Sequence, residues 1–125
     1  MNFLLDTHVL IWALENNPAL SDSAVSSITS GENMIFVSSV SVWEIGIKRS
    51  LGKLNAPDNL QEELKLHRFT HLNITHEHAD LAARLPLIHK DPFDRMLVAQ
   101  AIVENLRIIT RDEQISMYSV KTIQA

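Results

Sequence analysis

Short apolar runs and amphipathic stretches alternate along the whole chain. Asn2–Leu5 has the length and apolar content of a buried strand. Thr7–Glu15 has helical spacing and meets a stop at Asn16-Asn17-Pro18. Residues 22–30 read as a second helix, with Gly31 just past its end. Met34–Ser38 is another buried strand. Residues 41–51 place Trp43, Ile47 and Leu51 on one helical face, before Gly52. Pro57 marks a loop, 58–67 is a polar amphipathic helix, and 72–74 is a weak strand. The stretch 75–85 is a helix closed by Pro86, and 92–105, opened by Pro92, is the strongest helical pattern. Arg107–Thr110 is a strand, and 120–123 is the last one.

Strands alternating with helices over short connections predict an α/β fold, with a mostly parallel sheet. At 125 residues, one domain over 1–125 is expected. No cysteine is present, so disulfides, thiolate zinc sites and cysteine nucleophiles are excluded. No apolar run approaches the roughly 18 residues of a membrane span. The opening Met1-Asn2-Phe3-Leu4-Leu5-Asp6 lacks a basic region before its apolar residues, so no signal peptide is expected and a cytoplasmic location is.

The net charge of −4 disfavours a protein that grips nucleic acid by bulk positive charge. Where the acids sit therefore matters more than their number. In a parallel sheet the functional crevice lies beyond the carboxyl ends of the strands. Four acids fall there. Asp6 follows the first strand, Glu44 lies in the first turn of a helix after the second, Asp94 opens the 92–105 helix, and Asp112 follows Arg107–Thr110. Each also has a structural reading. Asp6 suits a helix N-cap, Ser41-Val42-Trp43-Glu44 a capping box, Asp91-Pro92-Phe93-Asp94 a second box-like start, and Asp112 a turn. Capping alone gives no reason for four acids to share one sheet edge. Two carboxylates about 4 Å apart repel by roughly 4 kcal/mol at an effective dielectric of 20, so a cluster calls for a proton or a cation. Mg²⁺ and Mn²⁺ suit an all-oxygen site. Without these four, the acids number 11, equal to the 11 lysines and arginines.

Leu4-Leu5-Asp6-Thr7, Val42-Trp43-Glu44-Ile45, the run from Asp91-Pro92-Phe93-Asp94-Arg95 to Ala101, and Thr110-Arg111-Asp112 resemble, in order, the acidic motifs of PIN domains. The nearest branch in this respect is the VapC-like toxins of bacterial toxin–antitoxin pairs. The resemblance implies a PIN-like three-layer α/β/α fold and a Mg²⁺- or Mn²⁺-dependent endoribonuclease. It further implies an RNA substrate, a cognate antitoxin as partner and a homodimer. Asp6, Glu44, Asp94 and Asp112 match the family's acidic quartet, with Asp6 and Asp94 as primary metal ligands. Asp91 competes with Asp94 for the third place. Asp94 is preferred because it precedes the Leu-Val-Ala-Gln-Ala run, and Asp91 then reads as a cap or an outer group. The residue after Thr7 is His8, where many members carry asparagine.

Around the quartet, Thr7, Ser38 and Ser39 are candidates either to bond the carboxylates or to satisfy backbone at strand ends, and Arg95 and Arg111 to contact phosphate. Lys48-Arg49 reads as a solvated helix face. His8 and His89 flank the motifs and read as surface residues, and Trp12, Trp43 and Phe93 as core. Other classes fit poorly. A receiver domain wants two acids after the first strand, and a haloacid-dehalogenase-type phosphatase wants Asp-x-Asp there, where this chain has Asp6-Thr7-His8. No Gly-rich phosphate loop is present among three glycines. The alternative to an enzyme is a catalytically silent PIN-like module acting through RNA or protein binding.

Overall fold

The computed structural model describes residues 1–125. The chain runs β1 (Asn2–Leu5), α1 (Thr7–Glu15), α2 (Asp22–Thr29), β2 (Met34–Ser38), α3 (Ser39–Ser50), α4 (Leu60–Leu66) and β3 (Thr70–Leu72). It continues through α5 (His76–Arg84), α6 (Pro92–Glu104), β4 (Arg107–Thr110), α7 (Glu113–Ser116) and β5 (Thr122–Gln124). The strands form one parallel sheet in the order β3-β2-β1-β4-β5. β1 is central, with Leu4 opposite Phe36 of β2 on one side and Ile108 of β4 on the other.

Helices cover both faces, which is why β1 and β2 read as near-continuous apolar runs. Phe3 and Leu5 face one core, with Val9, Leu10 and Ala24 from α1 and α2 and Leu64 from α4. Leu4 faces the other, with Leu97, Val98 and Ala101 of α6 and Ala82 of α5. This is the expected three-layer α/β/α arrangement. The chain builds β1, β2 and β3 outward in one direction and then returns to place β4 on the other side of β1. That reversal opens a crevice between β1 and β4, at the carboxyl ends of both strands.

Several predicted boundaries move. The helix placed at 41–51 begins at Ser39, because the Ser38 hydroxyl accepts the Val40 amide at 3.0 Å and caps it. Ser41 is therefore buried inside the helix, and its capping box with Glu44 does not form. The third strand lies at Thr70–Leu72, where it pairs with Phe36–Ser38, while Ile74 is left exposed ahead of the Thr75 cap of α5. The last strand lies at Thr122–Gln124, in register with β4. The four residues of α7 fall below what periodicity detects. Trp43, expected in the core, is 62% exposed and meets Phe93 edge to face. Phe93 and Trp12 are half-buried.

Candidate active site at the carboxyl edge of the sheet

The crevice is a cavity of about 370 Å³ lined by Asp6, Glu44, Asp91, Asp94 and Asp112, with Lys48 and Arg111 as its cationic residues. Thr7, His8, Val9, Trp12 and His89 complete the wall. The capping and site readings turn out to be compatible, because a carboxylate has two oxygens. Asp6 caps α1 by accepting the Val9 amide on Oδ1 at 2.8 Å, and its Oδ2 accepts from the Thr110 hydroxyl. Asp112 caps α7 by accepting the Gln114 amide on Oδ1 at 2.8 Å, while Oδ2 faces His89 Nε2 at 2.8 Å. Asp91 caps α6 through Phe93 and Asp94 and remains on the cavity wall.

Asp94, one turn into α6, presents Oδ2 to the same His89 nitrogen at 3.0 Å. His89, Asp94 and Asp112 have donor atoms all within 4.8 Å of one another. Glu44 is buried on α3. Its Oε1 accepts from the Thr7 hydroxyl at 2.6 Å, and its Oε2 pairs with Lys48 Nζ at 2.5 Å. Ser41 Oγ lies 3.0 Å from the same threonine oxygen.

The electrostatics follow from this crowding. Burial pushes the Asp6 carboxyl above its usual range, and the Thr110 and Val9 hydrogen bonds offset this only in part. Asp94 is pushed up to about 7, first by burial and then by the charge of Asp91, with Glu44 and Asp6 adding to it. Burial also opposes charge on Asp112. There the His89 hydrogen bond and the Gln114 and Ile115 amides win, and the carboxyl lies below its usual range. The hydrogen bond to Glu44 holds the Lys48 ammonium above its usual range.

Three expectations need correction. Arg95 is buried and faces away from substrate space. Its guanidinium donates to the carbonyls of Ala82, Leu85, Pro86 and His89 and to the Tyr118 hydroxyl. It thus pins the loop before α6. His89, read as a surface residue, is only 7% exposed and joins two of the acids. Lys48, read as part of a solvated helix face, lines the cavity. Arg111 does line it, with its guanidinium 4.6 Å over the Trp12 ring and bonds to Ala19 and Ala125 oxygens. Ser38 and Ser39 serve the α3 cap and Asn73, not the carboxylates. Thr110 escaped the sequence reading, although a threonine ending a strand two residues before an acid is a usable signal.

The donor set fits a hard divalent cation: carboxylate oxygens from separate elements converge on one cavity, where burial first and the neighbouring carboxylates second raise Asp94. Fold and site together define an α/β protein with an acidic pocket at the switch point of a parallel sheet. The PIN domain family model matches residues 3–121, and the chain belongs to that family. Among solved structures it is similar to VapBC2 from Rickettsia felis bound to a promoter DNA fragment, at a TM-score of 0.70 and 18% identity over 98% of both chains. FitAcB from Neisseria gonorrhoeae gives 0.66 and 20% identity, covering 98% of this chain and 96% of that one. VapBC-5 of Mycobacterium tuberculosis, from a family of toxin–antitoxin systems, gives 0.62 and 19% over 99% and 98%. A comparison with curated protein sequences finds no match. No helix is long and apolar enough to cross a membrane.

Proposed function

We propose that this PIN domain is a Mg²⁺- or Mn²⁺-dependent endoribonuclease, acting as the VapC-like toxin of a toxin–antitoxin pair. The observation that carries the reading is the convergence of Asp6, Glu44, Asp94 and Asp112 on one cavity at the sheet's switch point. The likeness of the whole chain to VapBC toxin–antitoxin structures supports the biological setting. A cognate antitoxin would restrain the protein in trans. Residues 1–125 would act as one domain, paired with a second copy in the cytoplasm.

Asp94 and Asp112 would hold the cation together with Asp6, which lines the same cavity. When bound, the ion supplies an acidified water and a clamp for phosphate oxygens. Glu44, held by Thr7 on one oxygen and by Lys48 on the other, would help to orient the attacking water at the cavity wall. Lys48 and Arg111 are the cations available to the scissile phosphate and its neighbours. Trp12 keeps the Arg111 plane in place by stacking.

The test is cleavage of structured RNA by purified, antitoxin-free protein with Mn²⁺. EDTA and an Asp94→Asn variant serve as controls. Metal-dependent cleavage lost in the variant supports the reading. Equal behaviour of wild type and variant, or no cleavage of transfer, ribosomal and messenger RNA alike, moves the silent binding module to first place.

A further inference from the structure

His89 lies outside the acidic quartet, yet its ring meets Asp94, Asp112 and the Asp91 amide. Its backbone amide donates to Tyr118 Oη at 2.9 Å, and its carbonyl accepts from Arg95. The same tyrosine hydroxyl donates to Pro86 O at 2.7 Å. The loop before α6 is therefore fastened on both sides of the ring. The Asp91 amide donates to His89 Nδ1 at 3.2 Å. A nitrogen that accepts an N–H carries no proton, so the ring hydrogen is on Nε2. That nitrogen donates to Asp112 Oδ2 at 2.8 Å and lies 3.0 Å from Asp94 Oδ2 in a close polar contact without hydrogen-bond alignment.

We propose that His89 is a positioning residue, a neutral bridging ring whose Nε2–H bonds Asp112 Oδ2 while the same edge of the ring sits against Asp94 Oδ2, so that the two oxygens stand as a preformed pair for a divalent cation. The inference rests on the metal-site reading above and adds a residue to it. An imidazole near a metal site is commonly a ligand, which would shift preference toward softer metals than Mg²⁺. Here the proton stands on the nitrogen that faces the acids, leaving no lone pair for a metal. Asp94 comes from the start of α6 and Asp112 from the start of α7, and the ring spans the gap between the two helices.

Two side chains separate the ends of the ring. Glutamine reaches as far as Nε2 and offers its amide hydrogens to both carboxylates. Asparagine reaches only to the Nδ1 position, beside the Asp91 amide. The experiment measures Mn²⁺ affinity by calorimetry for wild type, His89→Gln, His89→Asn and His89→Leu, with circular dichroism to check the fold. Expected is affinity near wild type for the glutamine variant and a loss of about 10–100-fold for the other two, the usual effect of removing an outer partner of a metal ligand. If glutamine loses as much as leucine, His89 is a ligand and the bridge is overturned. If leucine binds like wild type, the bridge is equally overturned. Ring-nitrogen NMR of the metal-free protein gives a second readout that requires no metal. An Nε2–H, Nδ1-unprotonated ring is expected, and a proton on Nδ1 overturns the proposal even where Mn²⁺ binds. Should wild type show no Mn²⁺ binding while the ring has the expected tautomer, the metal reading has failed and the bridge's role with it. The hydrogen bonds alone would then remain.

Discussion

The Thr110 hydroxyl donates to Asp6 Oδ2 between residues 104 positions apart in sequence. The Thr110 hydroxyl oxygen in turn accepts the Asp112 amide at 3.0 Å. One small side chain at the end of β4 thus fixes a carboxylate after β1 and starts the turn that carries another. Replacing it by valine keeps the shape and deletes both bonds. Thr110→Val is expected to destabilise the protein by about 1.5–3 kcal/mol, the range for a hydrogen bond to a charged group. Urea unfolding of the metal-free protein at pH 8 measures it.

The elevated carboxyls set the direction of the pH dependence. A carboxyl whose folded pKa lies above its unfolded value binds a proton more tightly when folded. Its contribution is complete below about 3.8 and disappears as pH rises through the folded value, about 7 for Asp94. Asp6 acts in the same direction. Metal-free protein should lose up to about 4 kcal/mol between pH 4 and pH 8 from Asp94. Asp94→Asn should remove most of that slope and be more stable than wild type at pH 8. Asp112, shifted the other way, contributes only above its depressed value and is lost in acid. Urea midpoints across pH for both proteins check the signs.

Asp91 and Asp94 separate by different readouts. Asp91→Ala removes the α6 cap and should cost about 1 kcal/mol of stability. Asp91→Asn keeps a capping side chain and should retain both stability and cleavage. Because the Asp91 charge is the second cause raising Asp94, the same variant should lower the Asp94 titration midpoint. Carboxyl carbon NMR follows that midpoint directly.

Arg95 makes its case through folding. Its donors serve four carbonyls and a hydroxyl and no carboxylate. Lysine has one nitrogen and cannot satisfy them. Arg95→Lys should destabilise by about 2–4 kcal/mol, since several buried acceptors lose their partners at once. A melting experiment shows this as a lower Tm. An unchanged Tm with weaker RNA binding would restore the substrate-contact role that the sequence suggested.

Much of this architecture was readable beforehand, and the misses share a cause. Leu4, Leu5, Ile35 and Val37 lie on strands covered on both faces, so their runs are apolar throughout and unmistakable. Asp6, Asp94 and Asp112 were found because strand ends and helix starts are marked locally. Glu44 was found for a partly wrong reason: Ser38 caps its helix, and the glutamate bonds Thr7 and Lys48 in place of Ser41's amide. His89, Arg95 and Lys48 were misread because their environments come from elsewhere in the chain. His89 meets an acid 23 residues away, and no spacing rule carries that information. Trp43 misled in the opposite sense, since an aromatic residue on a helix face does not say whether a neighbour covers it.

The sheet order has a consequence for the protein as it is being made. β1 is synthesised first, yet its second neighbour, β4, comes nearly at the end, and Asp6 depends on a hydroxyl made 104 residues later. Until residues 107–112 have left the ribosome and settled beside Leu4 and Leu5, the cavity lacks Arg111, Asp112 and the hydroxyl that holds its first carboxylate. The growing polypeptide therefore carries an incomplete pocket. Its full set of carboxylates assembles only after translation of nearly the whole domain, when its earliest and latest segments finally meet.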